Sequence, residues 1–187
     1  MLMGNRGGRF HRDDRTLGSR RHVSRQWIAC VCEFKNRHRT VWGTGYTELF
    51  FLDEVTVLAS GHRPCFECRR ADAKAFAALF PVAAGKTAKA DEMDQRLHGE
   101  RLDGRNKRTF KADADDLPDG AMFSRDGIAY AVKDVNHLRW SHEGYTIAPF
   151  VPGLVEVLTP PAIVAVLQRG YKPRWHNSAA QITPPLH

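Results

Sequence analysis

The apolar positions of this chain fall into short runs separated by polar turns, and the period within each run sets the element it predicts. Trp27-Ile28-Ala29-Cys30-Val31-Cys32-Glu33-Phe34 is aromatic and β-branched and reads as a strand. The polar stretch Lys35-Asn36-Arg37-His38-Arg39 turns into Thr40-Val41-Trp42, the expected hairpin partner, and Thr44 to Leu52 reads as a further strand. Asp53 then caps a short helix to Ser60, and Gly61 ends it. A second helix opens at Cys68, carries Ala71, Ala75, Phe76 and Leu79 as an apolar stripe, and stops at Pro81; a third spans Ala88 to Leu102 with alternating charges.

The pattern shortens after residue 112. Ala121 to Ser124, a tight turn at Arg125-Asp126-Gly127, and Ile128 to Val132 predict a hairpin, followed by strands at His137–Trp140, Tyr145–Ile147 and Leu154–Leu158. Thr159-Pro160 opens a final helix that Gly170 closes. The expected class is α+β: an N-terminal β-hairpin and helices, then a small β-rich half with a final helix. The division follows as a basic arm over 1–25, a zinc-binding region with helices over 26–112, a β-rich region over 113–176 packed on it, and a tail over 177–187.

A hydrophobic fraction of 42% in 187 residues fills a core without disulfides, and no apolar run reaches the roughly 18 residues of a membrane span. The expectation is a soluble, cytoplasmic protein, in which four cysteines read as metal ligands rather than disulfides. The formal net charge is +7, and the first forty residues, with ten Lys or Arg against three acids, hold the whole excess. Arginine predominates there, and its planar fork suits phosphate, so the expected partner is nucleic acid. Arg6, Arg9 and Arg12 in the arm, Arg63, Arg69 and Arg70 around the cysteine turn, and Arg105, Lys107 and Arg108 after the third helix are the candidate contacts.

The candidate chemistry centres on Gly61-His62-Arg63-Pro64-Cys65-Phe66-Glu67-Cys68-Arg69. A C-x-x-C pair at the junction of two helices lets both thiolates converge on one ion, and Pro64 fixes φ just before the first ligand. Zinc is the expected metal. Cys30 and Cys32 supply the second pair. Two residues along a strand span about 6.6 Å, whereas two sulfurs on one zinc lie about 3.8 Å apart, so both bind only with inward rotamers or a bulge. In a regular strand one is a ligand and the other a small buried hydrophobe, with His11, His38 or His62 as the fourth ligand. The stretch from Phe51 to Arg69 resembles the second half of the metal-binding domain of Ada-type DNA-repair proteins, in which an Ala-rich helix runs into a Gly-x-Arg-Pro-Cys-x-x-Cys turn. That resemblance implies a four-cysteine zinc site, DNA rather than RNA as partner, and an upstream thiolate that accepts a methyl group from a DNA phosphotriester. The family has a wider upstream pair than the C-x-C here.

A second cluster is Asp94, His98 and Arg101, which share one face of the third helix, so that a carboxylate would orient an imidazole beside a cation. Arg139-Trp140-Ser141-His142 and Arg174-Trp175-His176 place aromatics beside polar groups, an arrangement that stacks on unpaired bases when exposed and fills a core when buried. Three functions follow: a zinc protein that binds or acts on nucleic acid in DNA repair or modification; a phosphate- or nucleotide-directed enzyme working through Asp94, His98 and Arg101 with a structural zinc; and a non-catalytic, zinc-stabilised interaction module.

Overall fold

The computed structural model describes residues 1–36 and 40–180, so Arg37, His38 and Arg39, and the tail from 181 to 187, lie outside the described residues. Glu54–Ala59 (α1) is the element on which the rest converges. Asp53 caps it, accepting from the Thr56 backbone N–H at 2.9 Å while the Thr56 hydroxyl returns to the Asp53 N–H. Every residue of α1 is buried, so the helix is covered on every side. Val57 packs with Leu2 and Ala29, Val55 with Met122, Leu138 and Tyr145, and Leu58 with Phe76, Met93, Leu97, Phe123 and Ile163.

On one side lies a sheet of Leu2–Arg6 (β1), Trp27–Cys30 (β2), Leu49–Phe51 (β3) and Arg63–Pro64 (β4), in the order β3-β1-β2-β4. β1 is antiparallel to both β2 and β3, and β4 runs parallel to β2. This corrects the expected arm: its first residues form a central strand with Leu2 and Met3 buried. Because β1 occupies the edge of β2 that a hairpin would need, Thr40-Val41-Trp42 is not a strand. The Trp42 indole instead donates to the Glu48 carbonyl at 2.8 Å and its ring stacks on His11. Residues 7 to 26 run irregularly, held at Phe10 and His11, whose N–H groups both donate to the Thr47 hydroxyl. Leu17 is exposed.

On the other side Phe110–Asp113 (β7), Met122–Arg125 (β8), Ile128–Lys133 (β9), Asn136–Ser141 (β10), Gly144–Ile147 (β11) and Leu154–Val157 (β12) form an antiparallel sheet in the order β11-β10-β9-β8-β12-β7. Leu102–Asp103 (β5) and Asn106–Lys107 (β6) make a separate small hairpin. Arg70–Leu79 (α2), Ala90–Arg101 (α3) and Pro161–Gln168 (α4) pack into one core through Phe76, Phe80, Met93, Leu97, Ile163 and Leu167. Burial of each such side chain contributes about 1.5–3 kcal/mol. The stripe on α2 is rotated from expectation: Ala73, Phe76 and Ala77 are buried, whereas Ala71 and Ala75 are exposed. α4 is preceded by Pro160 rather than capped by Thr159, whose hydroxyl accepts from the Met122 N–H at 2.8 Å. The start of the expected loose tail is ordered, as Asn177–Ala180 (α5) packs on β11 with Ala179 buried.

The two sides are tied by acids at the start of α1. The buried Glu54 carboxylate accepts from Arg69 at 2.6 Å, the Tyr171 hydroxyl at 2.7 Å and the Arg174 N–H at 3.0 Å. Asp53 accepts from the Tyr145 hydroxyl and the His176 N–H. Chain segments more than ninety residues apart are thereby pinned to one turn of helix.

Candidate metal centre and the basic groups around it

The parallel pairing of β2 with β4 sets Ala29 against Pro64, and the Cys65 N–H donates to the Ala29 carbonyl at 3.0 Å. Cys30 and Cys65 are therefore delivered to one point by adjacent strands. The Arg69 N–H then closes a turn on the Cys65 carbonyl, which brings Cys68 back over the same point just before α2 begins. The sulfurs of Cys30, Cys65 and Cys68 all lie within 4.8 Å of one another. That is close to the separation of thiolates sharing one ion at bonds near 2.3 Å. Upstream of this turn Gly61 has a φ of +85°, and a Cβ there would lie 2.7 Å from Cδ of Arg101.

The Cys65 thiol is pulled down to about 5, first by a hydrogen bond from Cys30 and then by the Cys68 and Glu67 N–H groups, against the effect of burial. Cys30 is pushed up, chiefly as the donor to Cys65, and Cys68 is pushed up by burial. A metal that binds here takes the thiolates as ligands and displaces the protons they share.

Cys32 does not join. β2 ends at Cys30, so the same-face alternation that would align the two is lost; Cys32 is exposed, with its thiol 3.9 Å from the Met1 carbonyl. His11 is engaged elsewhere, by the Thr47 hydroxyl at 2.8 Å and the Gly43 carbonyl. His62 is fully buried between Trp27 and Phe51, with Nδ1 2.7 Å from the Ser60 hydroxyl. His38 lies outside the described residues. Among the described residues, then, three ligands converge and no fourth Cys, His, Asp or Glu stands with them.

The Asp94, His98 and Arg101 cluster is divided. Asp94 is buried and grips Arg63 with both oxygens, at 2.9 and 2.8 Å. Arg101 donates to the carbonyls of Gly61 at 2.8 Å and Arg25 at 2.6 Å, with His98 Nδ1 3.3 Å away. His98 faces His22 rather than a carboxylate, and burial followed by the Arg101 charge lowers its pKa. Asp94 is used for structure, so among the described residues no acid is seen to orient the imidazole.

Arg63 and Arg69 are likewise withdrawn from any outside phosphate, the latter by Glu54 and Asp72. Arg70 is exposed, Arg9 pairs with Asp13, and Arg12 is exposed in the loop before Thr16. Arg108 donates to the Leu102 carbonyl and lies 3.8 Å from Asp103. Arg6 of β1, with Arg105 and Lys107 of the β5–β6 hairpin, lines one small cavity with Arg21, Arg101 and Trp27. The guanidinium carbons of Arg6 and Arg101 sit 3.8 and 4.0 Å from the Trp27 ring centre. Burial holds Arg6 down to about 10, Arg101 to about 9 and Lys107 to about 8. Sequence reasoning missed Trp27 and Arg21 as members of this group; the signal was an arginine-rich segment running into a tryptophan, whose stacking no period reveals. Of the aromatics singled out earlier, Trp175 packs against Tyr145, and Arg174 pairs with Asp72. Trp140 is half-buried beside His142 and lines an open cleft.

Fold and site together define an α+β protein with a three-cysteine cluster suited to a metal ion. No helix among the described residues is long and apolar enough to cross a membrane. No family model, curated protein or solved structure matches the chain.

Proposed function

We propose that this is a zinc-binding, nucleic-acid-binding protein, with DNA as the preferred partner and repair or modification of DNA as its setting. The observation that carries the reading is the convergence of Cys30, Cys65 and Cys68 within 4.8 Å. All-sulfur sets select zinc among the abundant divalent ions, and four free thiols suit a reducing, cytoplasmic compartment. DNA is favoured by the resemblance of the Phe51–Arg69 stretch to the Ada metal-binding domain, and by the excess of basic residues in the first forty positions. The zinc pins the turn between β4 and α2, with a water completing the tetrahedron.

Elemental analysis of the purified protein tests the metal. Near one zinc per chain is expected, falling in Cys30→Ser, Cys65→Ser and Cys68→Ser and kept by a Cys32→Ser variant that retains water as fourth ligand. A folded protein without metal sinks this part. Fluorescence anisotropy with labelled DNA, RNA and an acidic peptide at 50 and 200 mM salt tests the partner. Tighter binding to DNA, weakening steeply with salt, is expected; equal binding to the peptide would instead make the protein a docking module.

A further inference from the structure

Three cavities of very different chemistry adjoin. A cleft of about 450 Å³ is walled by Phe51, Leu52, Met122, Trp140, His142 and Leu158. Beside it is the cationic cavity of about 130 Å³ bounded by Arg6, Arg21, Trp27, Arg101, Arg105 and Lys107. Ser60 and Lys107 line both. A third, of about 350 Å³, continues past Arg20 and His22 and shares Arg21 and Arg105 with the second. No Asp or Glu lines any of the three among the described residues.

The cationic cavity is incomplete as it stands. Trp27 and Arg101 are 2% and 1% exposed, yet Nε1 of Trp27 and Nε of Arg101 have no hydrogen-bond partner, and neither does Nε of Arg6. A buried donor left unpaired costs about 1–3 kcal/mol, and here three of them belong to side chains that line a space walled by positive charge. Asp94, the carboxylate acting most strongly on Arg101, is already gripped by Arg63. The chemistry that complements such a space is that of an oxyanion. The cavity is well below the roughly 300 Å³ at which drug-sized sites begin, so it suits a phosphate group alone, whereas the neighbouring cleft is of the size and apolarity that take a flat ring system. Trp140, whose Nε1 is also buried without a partner, lines the cleft and offers its ring for stacking.

We infer that the two cavities form one binding site for a nucleotide unit, with its base in the cleft against Trp140 and Phe51 and its phosphate among Arg6, Arg101 and Lys107. Lys107 and Ser60 stand where sugar joins phosphate. The third cavity extends the positive wall beyond the phosphate, as a strand leaving the site requires, so the nucleotide is a residue of single-stranded nucleic acid or its free monophosphate. This deepens the nucleic-acid reading and rests on it only for the polymer.

Intrinsic fluorescence and calorimetry with deoxyadenosine monophosphate, deoxyadenosine, inorganic phosphate and a single-stranded hexanucleotide test the site. They are made on the zinc-loaded wild type, on Lys107→Met and Trp140→Leu, and on Lys74→Ala as a surface control, each checked by thermal melting. The monophosphate is expected to bind at least tenfold more tightly than the nucleoside or phosphate alone, and each pocket variant to lose at least tenfold while Lys74→Ala does not. The monophosphate binding no better than phosphate overturns the composite site. Hexanucleotide binding that both folded pocket variants keep in full also overturns it while leaving the nucleic-acid reading intact. Monophosphate binding lost in both variants without hexanucleotide binding upholds the site and removes the polymer. Binding of neither nucleotide removes the site, and the nucleic-acid reading then rests on the anisotropy assay alone.

Discussion

Asp94 separates a structural from a catalytic account of α3. Its carboxylate meets Arg63 through two parallel hydrogen bonds of 2.9 and 2.8 Å, and each side chain is 5% exposed, so solvent screening gives little discount. Replacing Asp94 by Leu removes the charge at similar volume and strands a buried guanidinium, a change that costs about 3–5 kcal/mol. At about 2–4 °C per kcal/mol for a chain of this length, the midpoint falls by roughly 6–20 °C. Urea unfolding should show the loss in the midpoint at unchanged slope. The double variant Asp94→Leu with Arg63→Met removes both charges and should recover most of the loss, because a buried pair exchanged for apolar groups is often neutral. Equal losses in the single and double variants would mean that packing rather than charge is responsible. A single-variant loss below about 1 kcal/mol would mean that the pair behaves as a surface pair, and either result refutes the reasoning.

Gly61→Ala should cost at least about 2 kcal/mol by thermal melting, because φ is +85° and the new Cβ would meet Arg101 at 2.7 Å; an unchanged midpoint would show that the turn yields freely. Tyr145→Phe removes one donor to Asp53, which keeps the Thr56 and His176 N–H groups, so about 1 kcal/mol should be lost in urea, and a loss beyond about 3 kcal/mol would contradict this division of the cap. His62 is held neutral well below its usual value, first by burial and then by the Arg6 and Arg101 charges. Its unfolded form takes up a proton near pH 6.5 and its folded form does so only well below that, so stability is complete above about pH 6.5 and falls as pH drops toward the folded value. Urea midpoints at pH 7.5 and 5.5 should therefore diverge more in the wild type than in His62→Gln, and equal divergence would assign the effect to His22, His98 and His137, whose shifts share its direction.

What could be read from the sequence was what is local. The Asp53 cap, the helix it opens, the Cys65 and Cys68 turn and the hairpin at Asp126-Gly127 each depend on residues a few positions apart, and each is present. β1 escaped because Leu2-Met3 is short, flanked by glycine, and made a strand only by partners at Trp27–Cys30 and Leu49–Phe51. α2 shows the limit of periodicity: Ala71 and Ala75 are as well spaced as Ala73 and Ala77, and only Phe76 together with the neighbouring helices decides which pair turns inward. For α3 the period identified a face, but what lay opposite was Arg63, thirty-one residues upstream. Cys32 was lost to the ending of β2 at Cys30, a boundary that no cap or proline marks.

The distribution of acids explains why the two ends of the site region differ. Glu54 and Asp72 neutralise Arg69, Asp72 also meets Arg174, and Asp94 neutralises Arg63, so the charges nearest the cysteine turn are balanced inside the fold. That balance leaves the net charge of a metal–thiolate centre to be met by backbone N–H groups such as those of Glu67 and Cys68. Around Trp27 the reverse holds: Arg101 and Lys107 are held by carbonyls of Gly61, Arg25 and Ala59, which orient a cation without cancelling it. Repulsion and desolvation there oppose folding, as the lowered pKa values of Arg6, Arg101 and Lys107 record. An acid placed at Ser60 or Leu102 would have relieved the strain. Its absence is intelligible if the counter-charge comes from a ligand, since an anion that binds only the folded chain returns stability in proportion to its occupancy.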